Sequence, residues 1–152
     1  MPQAQRHDDI ARVWAALQAF VQGQDRREEL RETLGLGRGM GRVQALLKLT
    51  GGPLTLRDLA EVIGVDAPYA TLIVDHLEAR GLVARTLHPD DRRRKLVTLT
   101  PAGREAAALA AHIKNQPPAG FAQLTEAELA VLEHMIKRLG SSPPGSRPSA
   151  SD

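Results

Sequence analysis

Apolar positions recur at helical spacing near the start of the chain: Ile10, Val13, Leu17 and then Phe20 or Val21, with Trp14 beside the stripe. The polar stretch from Gln22 to Glu32 is expected to prolong this helix on a wetter face, until Gly35, Gly37, Gly39 and Gly41 break it. Val43, Leu46, Leu47 and Leu49 mark a short helix closed by Gly51-Gly52-Pro53. Thr55 then has the features of an N-cap, with Asp58 in the acidic slot of a capping box. The helix from Leu56 to Ile63 stops at Gly64, which tolerates a left-handed conformation. Asp66 caps the next helix, Pro68 sits in its first turn where a missing N–H costs nothing, and the helix runs to about Arg80. Only Gly64-Val65-Asp66 separate the two. So short a turn forces the second helix across the first, a helix-turn-helix, with Ala60 leaving room and Ile63, Val65 and Ile73 sealing the interior.

The period then changes. Leu82 to Leu87 and Leu96 to Thr100 are β-prone runs with alternating Val and Thr, and His88-Pro89-Asp90-Asp91 supplies turn chemistry between them. Thr100 caps and Pro101 opens an Ala-rich helix through Ile113, which Gln116-Pro117-Pro118-Ala119-Gly120 breaks. Thr125 and Glu128 form a capping box, and Leu124 and Leu129 occupy hydrophobic-staple positions. Leu129, Leu132, Met135, Ile136 and Leu139 give the last helix an apolar stripe that Gly140 ends. The expected fold is mainly α with a small β-hairpin wing: a winged helix-turn-helix framed by N- and C-terminal helices. Residues 1–34 form the N-terminal helix, 35–100 the winged helix-turn-helix and 101–140 the C-terminal helices. The Ser/Pro-rich residues 141–152 have no periodicity and read as a disordered tail.

At 152 residues the chain is one ordinary domain. With no cysteine it has no disulfide framework, thiol nucleophile or thiol redox sensor. No apolar run approaches the roughly 20 residues that span a bilayer, and Met1 to Phe20 lacks a signal-peptide pattern, so a cytoplasmic protein with no membrane partner is expected. The five histidines (7, 76, 88, 112 and 134) show no ligand spacing, so no metal site is expected. The spaced glycines from 35 to 41 lack the strand and the lysine-serine pair of a phosphate cradle. No cofactor is expected, and no triad or nucleotide signature points to an enzyme. The net charge of +2 decides nothing, whereas clustering does: residues 85–95 hold Arg85, Arg92, Arg93, Arg94 and Lys95 against Asp90 and Asp91. A hairpin tipped with four consecutive cations has the shape and sign to enter a DNA minor groove. The alternatives are a solvated charged turn, or a winged helix used only to bind proteins.

Three segments carry a family resemblance. They are Leu54-Thr55-Leu56-Arg57-Asp58-Leu59-Ala60, Val74-Asp75-His76-Leu77-Glu78-Ala79-Arg80-Gly81-Leu82-Val83, and Asp90-Asp91-Arg92-Arg93-Arg94-Lys95-Leu96-Val97-Thr98-Leu99-Thr100-Pro101-Ala102-Gly103. Together they resemble the MarR family of transcriptional regulators from about residue 40 to 115, while the flanking helices match only in order and length. The resemblance implies a homodimer with interlocked terminal helices, sitting on a near-palindromic double-stranded DNA operator, and a repressor by family habit. Apolar stripes on terminal helices with no second domain to cover them call for the same partner.

The helix from Ala67 to Ala79 is then the recognition helix. It lacks Arg and Lys, and Leu72 and Pro68 stand where the family often has a basic residue and a Ser. Tyr69 and Thr71 are its polar contact groups, and Ala67, Pro68 and Ala70 can meet thymine methyls. His76 is a phosphate candidate farther along. In the wing the resemblance matches Asp91 and Arg93 to the family's Asp-x-Arg. It assigns Arg93 to the minor groove and Asp91 to holding neighbouring guanidinium groups, with Arg92 and Arg94 competing for the groove because a one-residue slip turns the side chain over. Arg85 and Lys95 are expected phosphate contacts, as are Thr55 and Arg57; Arg38 and Arg42 are weaker candidates. The family further implies a small phenolic or other aromatic acid as effector, bound between the dimer helices and the DNA-binding lobe. Trp14, Leu17, Met40, Val43 and Leu47 are its candidate lining, with His7 or His112 beside them.

Overall fold

The computed structural model describes residues 2–141; the segment 142–152, read above as a disordered tail, lies outside the described residues. The described chain forms two compact units that divide after Gln116. The first contains six α-helices and three strands in the order α1 (Pro2–Gln22), α2 (Arg27–Leu34), α3 (Gly41–Leu49), β1 (Leu54–Thr55), α4 (Leu56–Ile63), α5 (Ala67–Ala79), β2 (Val83–Leu87), β3 (Lys95–Leu99) and α6 (Pro101–Asn115). The second contains a 3₁₀ turn at Ala119–Gln123 and α7 (Glu126–Gly140). Mostly helical, with a small antiparallel sheet, this is the fold class the sequence implies.

Side-chain caps set the helix starts. The Thr55 hydroxyl accepts from the Asp58 N–H at 3.1 Å, the Asp66 carboxylate from the Tyr69 N–H at 2.8 Å, and the Thr100 hydroxyl from the Gly103 N–H at 3.0 Å. At α7 the capping box is complete, with Thr125 and Glu128 each serving the other's backbone N–H. Gly64 takes the left-handed conformation that ends α4, at φ 72°. Leu46, Leu59, Ile73, Val74, Leu77, Val83 and Val97 are buried together, so α3, α4, α5 and the sheet share one core. Helix α6 closes it with Gly103, Ala107, Ala110 and Ile113.

Two expectations need correction. The helix expected to run unbroken to Glu32 ends at Gln22, and α2 begins anew at Arg27 after Gly23 to Arg26. The Asp25 side chain accepts the Arg27 N–H at 2.9 Å, a local turn that leads into a fresh helix where composition alone favoured continuity. The hairpin is joined by β1, which pairs antiparallel with β3 through Leu54 opposite Val97 and Thr55 opposite Leu96, giving the order β1-β3-β2. Helix α6 lays its small-residue face, Gly103, Ala107 and Ala110, on the winged-helix core.

Candidate nucleic-acid interface

Helix α5 buries Ala70, Ile73, Val74 and Leu77, which leaves Ala67, Pro68, Tyr69, Leu72, Asp75, Glu78 and Ala79 exposed. The Thr71 hydroxyl donates back to the Ala67 carbonyl at 3.0 Å, which engages its proton. The Tyr69 ring is half exposed and its phenol stands over Gly39 and Gly41. His76 lies at the edge of the core with Nε2 buried and unpartnered. Burial first, and then the charges of Arg42 and Arg80, hold its imidazole below the ordinary value. The sequence offered His76 to a phosphate, and the structure turns its Nε2 inward.

The wing is a hairpin with Val83 opposite Leu99 and Leu87 opposite Lys95. Its loop is closed by the His88 N–H on the Arg94 carbonyl at 2.9 Å and the Arg94 N–H on the Asp91 carbonyl at 3.0 Å. The Asp91 carboxylate accepts the backbone N–H of Arg93 at 3.0 Å. Asp91 therefore shapes the turn by capping main chain, and among the described residues it pairs with no guanidinium, a correction to the role inferred for it. The Arg92, Arg93, Arg94 and Lys95 side chains are exposed, and none forms an ion pair with a described carboxylate. Arg93, Arg94 and Lys95 line an open cleft of about 650 Å³ with Arg57 of α4 and Arg85 of β2; Arg92 lies off its wall.

Arg85 behaves differently from the wing tip. Its guanidinium reaches the Asp75 carboxylate at 2.5 Å and also pairs with Glu78, and only 24% of the side chain is exposed. Partial burial works to lower its pKa, but the hydrogen bond to Asp75 and the charges of Glu78 and Asp75 outweigh that and raise it. So Arg85 ties α5 to the wing and is engaged by two carboxylates, where the sequence offered it as a phosphate contact. The acids sit at i and i+3 on α5, a spacing that holds the signal, but which cation they meet depends on the sheet register. Thr55 is likewise engaged, 7% exposed and capping α4, whereas Arg57 is exposed.

The five candidate effector residues do not converge. Met40, Val43 and Leu47 line a cavity of about 780 Å³ with Leu30, Leu36, Arg38, Gln44 and Lys114 among its walls. Trp14 and Leu17 stand exposed on α1, 57% and 44%, and His7 and His112 are also exposed. Among the described residues no cluster of His, Asp and Glu is arranged to hold a metal, and no helix is long and apolar enough to cross a membrane.

A helix-turn-helix followed by a β-hairpin, with β1 completing a three-stranded antiparallel sheet, defines a winged helix. The model of the MarR family matches residues 49–95, which run from the end of α3 through the cationic turn. The multiple antibiotic resistance protein MarR of Salmonella typhimurium is 33% identical over 93 residues, 58% of this chain and 62% of that protein. The chain thus spans less than two thirds of that curated relative. Among solved structures, the YusO protein of Bacillus subtilis superposes with a TM-score of 0.71 at 26% identity, covering 90% of this chain and 98% of that one. A variant of Escherichia coli MarR complexed with operator DNA superposes with a TM-score of 0.54 at 26% identity, covering 87% and 96%. Over residues 49–95 the chain matches the MarR family model, and it shares the fold of a solved MarR structure.

Proposed function

We propose that this protein is a transcriptional regulator that binds double-stranded DNA as a homodimer, recognises a near-palindromic operator and represses from it. The observation that carries the reading is the wing. Four consecutive exposed cations have no carboxylate partner among the described residues, and three of them share a cleft with Arg57. A wing that bound only protein would have no need of so much unpaired like charge. Wing cations of this kind supply phosphate and minor-groove contacts while α5 faces base edges. The related Escherichia coli protein solved with operator DNA supports the reading.

Dimerisation is supported by apolar surface at both ends of the chain. On α1, Ile10, Val13, Trp14 and Val21 are each more than half exposed, and on α7 so are Val131, Met135, Ile136 and Leu139. Release by a small aromatic acid is supported by the cavity lined by Met40, Val43 and Leu47, where Arg38 and Lys114 form no ion pair with a described carboxylate and offer charge to one. No catalytic activity belongs to this reading.

The test is the salt dependence of binding to duplex DNA, measured by fluorescence anisotropy for the native chain and for Arg93→Ala and Arg94→Ala. Each substitution should weaken binding and lower the log–log salt slope by about one counterion. Affinity and slope both unchanged in both variants would show that the wing does not touch DNA.

A further inference from the structure

A helix that reads DNA ordinarily offers donors and acceptors to base edges, and α5 has few left to offer. Its residues include no Arg or Lys. The Thr71 hydroxyl proton is engaged by the Ala67 carbonyl, and the Tyr69 phenol stands over the glycine loop. Asp75, the acid on the outward face, is held by Arg85. Beside Tyr69, what remains outward is apolar: Pro68 at the first turn and, four residues on, Leu72, which is 62% exposed opposite the buried set of Ala70, Ile73, Val74 and Leu77. The Asp75–Arg85 pair makes this face continuous with the cationic cleft of the wing.

An apolar knob beside unpaired cations does not suit the apolar core of a protein interface, where charge is depleted. It does suit the major groove, where phosphates flank base edges and one apolar feature is on offer, the 5-methyl group of thymine. We infer that Leu72, buttressed by Pro68, is a specificity-determining residue that reads thymine methyls in the operator. This rests on the DNA-binding reading and adds to it what the recognition helix selects. The preference is for thymine by burial of its methyl group, with the cations of the wing supplying phosphate attraction that does not distinguish one base from another. Leu72 has no packing role in the core, so its replacement leaves the fold intact.

The experiment takes the purified full chain, selects duplexes from a random library, and resynthesises the most enriched duplex with deoxyuridine replacing thymidine one position at a time. Uracil pairs as thymine does but lacks the methyl. At one or more thymines in each half-site, binding should weaken about fourfold per methyl removed. Leu72→Ala should bind the thymine duplex more weakly and lose that sensitivity, so that thymine and uracil duplexes bind alike. Undiminished binding of every uracil duplex would overturn the inference, as would a Leu72→Ala variant that still distinguishes the two bases. Failure of the native chain to enrich or bind any duplex is a separate outcome: it overturns the DNA-binding reading and this inference with it, and leaves α5 as a protein-docking face.

Discussion

A Cβ built on Gly103 would lie 1.8 Å from the carbonyl oxygen of Leu82, inside any possible contact, so the first turn of α6 approaches the α5–β2 turn at a distance that only glycine allows. Thr100 fixes the same junction, donating from its hydroxyl to the Gly81 carbonyl at 2.5 Å while accepting the Gly103 N–H. Gly103→Ala must push α6 off this turn, and a loss of about 3 kcal/mol is expected in urea unfolding, at the upper end of ordinary overpacking. Unchanged stability would mean that the two turns are not in contact. Residues of this kind divide by how far away their partners lie. Thr55, Asp66, Thr100 and Thr125 were legible as caps because each bonds an N–H three residues on. Asp91 was read as an Arg clamp because the motif gives its identity but not which donor the loop turns towards it, and it took the Arg93 main chain. His76 was read as a phosphate contact because helical spacing does not reveal that Nε2 ends up buried near Arg42 and Arg80.

Among elements, the junction of α5 with β2 decides how the wing stands relative to the recognition helix. Arg85 holds Asp75 and Glu78, and its single positive charge offsets one of the two negative charges that would otherwise face phosphates. Arg85→Ala should therefore weaken DNA binding even though this guanidinium is engaged within the protein. Adding Asp75→Asn to Arg85→Ala should restore part of the loss, since the freed carboxylate is then neutral. A direct phosphate contact would behave otherwise: the slope against salt would fall by about one, and Asp75→Asn would restore nothing. Measured as a double-mutant cycle, the two outcomes separate cleanly. The boundaries of α4 and α5 could be read from the chain because a cap and a breaker bracket each. Strand β1 could not, since two residues show no period and its pairing with β3 is made across some forty residues of chain. Nor could the break before α2, because Gly23 to Arg26 holds no proline and a solvated helix tolerates that composition.

At the scale of the molecule, the proposed homodimer rests on a winged helix with exposed cations at its tip and on apolar stripes on α1 and α7. The family resemblance was legible because its motif residues set the helix-turn-helix turn, the wing and the α6 junction, all short-range features. The candidate effector lining was only partly legible. Met40, Val43 and Leu47 share one short helix and its cap and therefore face one cavity, while Trp14 and Leu17 lie on a helix whose neighbours no local pattern announces. In the proposed homodimer, two-fold symmetry would set the two α5 helices about one DNA turn, roughly 34 Å, apart. The most direct test of the central claim is sequencing of duplexes selected by the purified chain at about 0.15 M salt, with the stoichiometry of the complex taken from sedimentation equilibrium. The account predicts an enriched inverted repeat with half-sites about 10 base pairs apart, bound by two chains per duplex. A single unrepeated site held by one chain, or weak salt-sensitive binding to every sequence alike, would contradict it.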